Sequence, residues 1–299
     1  MGYRQGRQIV GEAANITLQF LGAGGAFTRI YGTTCSVLTF GEDERWLIDC
    51  GRQAPDQLHA AGIEWHDIYG QLVTHVHGDH TYGLEDFAFS RFFFGRDGVD
   101  AVREGGPRPK LICHGAVEEE LWESLRSSLR YVPPPLPPKS GTLSTYFETI
   151  AAHASEPPAD NPWHHAESFR AGQLTVHATE TEHVPGKPST ALTIEVGDGK
   201  VAWWSGDSTV DADALVALEP KATVFFHDCT FVEYPGQVHG SFAALEQLPE
   251  PVRKKMVLMH HEDDLQDHRD RAEALGFRVA LPGQRYDLVT GQREPTLAD

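Results

Sequence analysis

The chain has 299 residues and a formal net charge of −18, with 25 Lys and Arg against 43 Asp and Glu. That length suits one large domain or two small ones, and no apolar run of the roughly 18 residues needed to cross a membrane occurs. Nucleic-acid affinity depends on neutralising phosphates, so a long RNA would meet a repulsive mean field.

The first residues, Met1 to Gln8, have no apolar segment behind them and do not read as a secretory signal. Cys35, Cys50, Cys113 and Cys229 lack CxxC spacing, so they read as reduced, buried thiols of a cytoplasmic protein. Asn15 to Phe20 alternates as a strand and runs into the Gly-rich turn Leu21–Ala26. A phosphate cradle is one reading of such a turn, but its spacing is not that of a dinucleotide or P-loop fingerprint. A structural turn is the other reading. Thr34–Phe40 and Arg45–Asp49 form a hairpin around Gly41–Glu44, and Gln53–Ala61 suits a short helix.

The apolar run Gln71–Thr74 then leads into His75-Val76-His77-Gly78-Asp79-His80. Imidazole and carboxylate groups suit borderline divalent ions such as zinc. In an extended turn His75 and His77 point to one side, while Asp79 and His80 face elsewhere. Two adjacent ions therefore use the four residues better than one. Next, Leu84, Phe87, Ala88 and Phe92 recur at helical spacing, which predicts a helix beginning near Gly83. Phe92, Phe93 and Phe94 read as core, or else as an apolar wall of a pocket.

Lys110–Cys113 is a predicted strand and Ala116–Leu129 a predicted helix. The run Pro133–Pro138 reads as a rigid connector, with an SH3-like ligand as the alternative. The irregular stretch 132–168 is the expected specificity insertion and a place for homodimer contacts. Its His164-His165 pair reads as plain surface residues or as a third metal site. Strands are predicted at Leu174–Ala178, Thr190–Val196, Lys200–Trp204 and Thr223–His227, and helices at Asp211–Leu218, Phe242–Leu248 and Leu265–Leu275.

Further metal-ligand types stand at predicted strand ends, where a rigid element can aim them. They are His183, Asp207 after Trp203-Trp204, and His260 after Met256–Met259, with His261 as the rival of His260. Together with Leu47–Gly51, this ordered set resembles the metallo-β-lactamase superfamily from about Leu18 to His260. The resemblance implies an α/β fold, an αββα sandwich of two packed mixed sheets flanked by helices. It also implies a single domain over 1–299 with the insertion at 132–168. Carried over by position, His75, His77 and His183 bind a first ion, Asp79, His80 and His260 a second, and Asp207 bridges both. Zinc is the expected metal, with manganese as the alternative. Asp49 either supports a ligand from behind or simply ends a hairpin strand.

A second resemblance narrows the branch. His227-Asp228-Cys229-Thr230-Phe231 is similar to the HEATF segment of the ribonuclease Z group, and His239-Gly240-Ser241 with Ala243-Ala244 to its HST…AA segment. This implies a catalytic pair, Asp79 in proton transfer and His227 meeting charge on the phosphate or leaving oxygen. HEATF has become HDCTF, and Glu262-Asp263-Asp264 stands where that group carries an arginine. No basic arm for a tRNA is visible. The expected activity is therefore a binuclear metal-dependent hydrolase, a phosphodiesterase on small or cyclic nucleotide-like diesters that uses a hydroxide held between the ions. The alternatives are a lactone or carboxylic ester hydrolase, ribonuclease Z itself, and a non-catalytic metal-bound sensor. The expected partner is a small anionic ester rather than a long RNA or a membrane.

Overall fold

The computed structural model of the chain describes residues 15–94, 107–132, 140–153 and 166–295. Two sheets lie face to face. The first contains, in chain order, β1 (Ile16–Gly22), β2 (Cys35–Phe40), β3 (Glu44–Ile48), β4 (Ile68–Leu72), β5 (Lys110–Ile112) and β6 (Glu148–Thr149). It is extended beyond β1 by the late strands β14 (Arg285–Asp287) and β15 (Gln292–Arg293). The second contains β7 (Ala166–Ala171), β8 (Leu174–Glu180), β9 (Thr190–Gly197), β10 (Lys200–Trp204), β11 (Ala222–Asp228), β12 (Met256–Met259) and β13 (Arg278–Val279). Its spatial order is β13-β12-β11-β10-β9-β8-β7. β3 to β6 pair in parallel, as do β10 to β13, so both sheets are mixed.

The alternation of each strand explains the layers. Leu18, Phe20, Leu38, Trp46, Ile48, Val176, Ile194, Trp204 and Phe226 point between the sheets and form the central core. Phe20 is central to it, 5.7 Å from the Trp204 ring and 5.5 Å from Phe226. The opposite parity faces the helices. Val37, Leu47 and Leu111 meet α1 (Ala54–Ala60), α3 (Leu84–Phe94) and α4 (Gly115–Leu129) through Leu58, Phe87 and Leu121. Trp203, Phe225 and Leu258 meet the helices Ala212–Leu218, Glu250–Lys255 and Leu265–Ala274. The expected αββα sandwich is the observed architecture.

Three local expectations change. The HxHxDH stretch is not one loop: residues Gly78–Thr81 form a single helical turn, α2. Phe92 is core, but Phe93 and Phe94 are 42% and 81% exposed, because α3 turns only one stripe towards β4 and α4. Within 132–168, Leu143–Tyr146 is a helical turn and β6 an edge strand, and β7 opens at Ala166. Residues 133–139 and 154–165, with the proline run and His164-His165, lie outside the described residues.

All four cysteines are free and buried, as expected. Burial pushes each thiol pKa up, and nearby carboxylates such as Asp49 and Asp228 push Cys50 and Cys229 the same way. The folded protein should not react with a thiol reagent such as DTNB over minutes, whereas protein in guanidinium should titrate to four thiols per chain. Fast labelling of one cysteine in the native state would show that its part of the core opens locally.

Candidate metal centre

Every ligand type singled out above follows the C-terminal end of a strand, and these ends lie along one edge of the sandwich. β4 delivers His75, β8 His183, β10 Asp207 and β12 His260. The two sheets are stitched together there. Thr190 N–H donates to Thr74 O at 3.1 Å, and His260 N–H donates to Ala23 O at 2.7 Å. Gly51 allows the closest approach: a Cβ on it would lie 1.9 Å from Asp79 O, so the chain after β3 can pass α2 only without a side chain.

Three overlapping groups of ligand-type atoms result among the described residues, all sharing Asp207; the third joins it to Asp228, His239 and His260. In the first, His77 Nδ1 lies 3.0 Å from His75 Nε2 and 3.2 Å from His183 Nε2. Asp207 Oδ2 closes it at 3.7 and 3.9 Å from His75 Nε2 and His183 Nε2. In the second, Asp79 Oδ2 lies 3.2 Å from His80 Nε2 and 3.3 Å from His260 Nε2. The same Asp207 Oδ2 is 3.4 and 3.3 Å from those two nitrogens. A tetrahedral ion with ligands at about 2.0–2.1 Å has ligand–ligand edges of roughly 3.3–3.4 Å. The second group matches that spacing, the first brackets it at 3.0–3.9 Å, and Asp207 belongs to both. The split follows from local structure: His75 and His77 are on extended backbone, while Asp79 and His80 are on the helical turn α2.

The surrounding hydrogen bonds aim lone pairs inwards. Thr74 Oγ1 donates to Asp49 Oδ2 at 2.8 Å, so it accepts from His75 Nδ1, 3.1 Å away. His80 Nδ1 donates to Asp49 Oδ2 at 2.8 Å, and His183 Nδ1 donates to Val238 O at 2.9 Å. In each ring Nδ1 is committed to that outer contact, which leaves Nε2 facing the cluster, where converging nitrogens need a cation between them, a proton or a metal ion. His80 Nε2 and Asp207 Oδ1 are buried with no hydrogen-bond partner, which is costly unless another species binds them. The residues therefore fit two divalent ions. Asp49 does this aiming with left-handed backbone, φ 58°, and His260 shares that conformation. Strained non-glycine backbone of this kind concentrates at functional sites.

The electrostatics agree. Burial drives the His75 pKa well below its ordinary value and the His77 pKa down to about 4, so both are neutral ligands. Burial opposes charge on Asp79 and Asp207, but the neighbouring histidines outweigh it and hold both carboxyls below the usual range. Burial also lowers His80, yet Asp207, Asp79 and Asp49 together raise it well above normal. A field that holds a proton there will hold a divalent ion in its place.

His260, not His261, completes the second group. His261 is turned the other way, with Nε2 2.9 Å from Ala280 O. His227 is placed differently from the sequence expectation. On β11, Phe226 and Asp228 share the inter-sheet side, while His227 shares the outer side with Phe225 and packs 5.5 Å from the Trp203 ring. It is fully buried, its Nδ1 lies 2.8 Å from Asp228 O, and it belongs to none of the ligand groups. The histidine at the mouth is His239. Its Nδ1 donates to Asp228 Oδ2 at 2.9 Å and lies 3.8 Å from Asp207 Oδ2. Its ring stacks on His260 at 5.0 Å and lies 5.1 Å from His183. Burial would lower its pKa, but the Asp228 bond and the Asp207 charge raise it to about 9. Strand parity was the signal that could have found it, since Asp228, not His227, faces the metal side.

Two mixed sheets with helices outside them, and ligand-type residues gathered along one edge, make this a metallo-β-lactamase fold. A family model described as anti-Pycsar protein Apyc1 matches residues 16–281, and the chain belongs to that family. The Apyc1 protein of Paenibacillus sp. strain J14 is 31% identical over 268 residues, covering 88% of this chain and 96% of its own. That of Bacillus phage 010DV004 is 30% identical over 279 residues, covering 91% and 98%. Among solved structures, YhfI of Bacillus subtilis is similar at a TM-score of 0.65 and 16% identity, covering 91% of this chain and 99% of its own. Human short-form tRNase Z is similar at 0.62 and 19%, with coverage of 91% and 99%.

Protein purified without chelator should carry about two divalent transition ions per chain, measurable by plasma emission spectroscopy. Asp207→Ala should lose most of both, because one oxygen serves both groups. Retention of one full equivalent by Asp207→Ala would show that the groups bind independently.

Proposed function

We propose that the chain is a binuclear metal-dependent phosphodiesterase acting on small or cyclic nucleotide-like diesters. The observation that carries the reading is His239: an imidazole whose Nδ1 is held by the buried Asp228 carboxylate, beside the groups of metal-ligand atoms. His75, His77, His183 and Asp207 would hold one ion, and Asp79, His80, His260 and Asp207 the other, zinc or manganese by their donor set. Bound there, divalent ions supply Lewis-acid polarisation of phosphoryl oxygens and make water a nucleophile near neutral pH.

The protein's own groups do the rest. Asp79, ionised and 3.3 Å from His260, can orient an attacking water and take its proton. A departing alkoxide needs a proton, and His239 can give one from Nε2 while Asp228 holds Nδ1. Asp228 is kept ionised for this: burial opposes its charge, but bonds from His227 and His239 outweigh that cost. His227 thereby acts through Asp228, with Nδ1 3.2 Å from Asp228 Oδ1. The HDCTF and HGS segments support a phosphodiester substrate over a lactone. So does the likeness of fold to yeast PDE1, at a TM-score of 0.55 and 13% identity, and to a diphosphatase of the PhnP family, at 0.63 and 16%.

The acids after the last ligand also have a structural explanation. Asp263 accepts from the backbone N–H of Arg29 and Ile30 and from Thr28 Oγ1, and Glu262 accepts from Thr230 Oγ1. They hold loops where an arginine would reach RNA. With a net charge of −18, a precursor tRNA has little to bind.

The test is a panel assayed with zinc- or manganese-loaded protein: a 3′,5′-cyclic nucleotide, bis-p-nitrophenyl phosphate, several lactones and a precursor tRNA. Turnover of the diesters over the lactones and the tRNA is expected; turnover confined to lactones, or efficient 3′ trimming at physiological salt, contradicts the reading. His239→Ala should keep its metal and lose about 10²–10⁴ in kcat on the cyclic nucleotide. Its loss on bis-p-nitrophenyl phosphate should be much smaller, because p-nitrophenolate leaves without a proton. Equal losses on both would remove His239 from the role of acid.

A further inference from the structure

A diester with its phosphate at the ligand groups must rest its organic part on the rim, so the rim decides which organic part fits. Six of the exposed large apolar side chains stand close in sequence to residues of the site or on loops leading to them. Phe27 and Ile30 lie on the loop against His260, and Tyr82 follows His80 by two residues. Val184 follows His183, while Val232 and Tyr234 lie on the loop leading to His239. Singly exposed apolar residues need no explanation. Several of them close in sequence to residues of one polar centre direct attention to the loop that the structure places against it.

Phe27 is the extreme case, 90% exposed. The loop that carries it is pinned on both sides. Before Phe27, Gly25 N–H donates to His261 O at 2.9 Å and the Arg52 guanidinium donates to Ala26 O. After it, Arg29 and Ile30 N–H donate to Asp263 at 2.8 and 3.1 Å, and Thr28 Oγ1 donates to the same carboxylate. These bonds fix the backbone, so the exposure of Phe27 is set by the fold. The loop also touches the centre directly: a Cβ on Gly25 would lie 3.3 Å from His260 Cε1.

We propose that the loop Ala26–Ile30 is the base-binding lip of this site and that Phe27 is the platform on which the substrate's nucleobase stacks. The proposal rests on the phosphodiesterase reading and names the organic half of its substrate. Every nucleobase presents a π-face, so stacking on an aromatic ring favours any nucleotide over an aliphatic diester. Substrate binding then covers an apolar ring that otherwise stands in water.

The test compares wild type, Phe27→Ala and Phe27→Trp, metal-loaded, on a 3′,5′-cyclic nucleotide and on glycerol 1,2-cyclic phosphate. Phe27→Ala should lower the ratio of kcat/KM for the nucleotide to that for the glycerol ester by about tenfold, mainly through KM. Phe27→Trp should restore it. Calorimetry with the nucleoside monophosphate product should show the same factor in Kd, a readout independent of turnover. An unchanged ratio, or a Kd equal in wild type and Phe27→Ala, overturns the lip. If neither diester is turned over, the phosphodiesterase reading fails, and the calorimetric comparison still decides the lip by itself. If Phe27→Asp instead converts a dimer to a monomer in sedimentation velocity, the loop is a self-contact and the proposal falls.

Discussion

The structure is built around buried negative charge. Asp49, Asp79, Asp207 and Asp228 are all buried, and the ion pairs they make are with histidines. Removing a carboxylate from water costs several kcal/mol unless positive charge compensates it. Histidine supplies that charge only when protonated, and burial works against protonation at His75 and His77. Two divalent ions would balance the carboxylates and let the histidines that hold them stay neutral, so charge balance and ligand geometry point the same way.

The sandwich is what makes this arrangement affordable. Strands rigidified by the central core end along one edge, and each end carries one or two ligands. Asp49 links the layers of the site: it accepts from Thr74 N–H at 2.9 Å, from Thr74 Oγ1 and from His80 Nδ1. Through Thr74 it also orients His75, so one carboxylate behind the site sets the tautomer of a ligand in each group. Both sides of the mouth are then organised by further acids that are not ligands, Asp228 holding His239 and Asp263 holding the loop that carries Phe27.

Much of this was legible in the sequence, for identifiable reasons. HxHxDH is read directly because metal chemistry needs those side chains at those positions, and the later ligands announce themselves by following apolar runs. The division of the motif between two groups of ligand-type atoms follows from side-chain direction alone. What failed was local geometry. α2 is four residues long, too short for a period to show, and β13, β14 and β15 have only two or three residues each. The histidine beside the mouth was misplaced because His227 and Asp228 are adjacent, and adjacent residues on a strand face opposite sides. His239 lies 11 residues further on, in a loop whose path back to Asp228 no sequence pattern records. Phe93 and Phe94 looked like core because apolar residues in a row conceal which stripe of a helix is buried.

Anomalous diffraction at the zinc edge from crystals of the metal-loaded protein tests the central claim most directly. Two peaks are predicted, one among His75 Nε2, His77 Nδ1, His183 Nε2 and Asp207, the other among Asp79, His80 Nε2, His260 Nε2 and Asp207, with His239 bound to Asp228 and to neither ion. A single peak between Asp228 and His239, or none within the two groups, would contradict it.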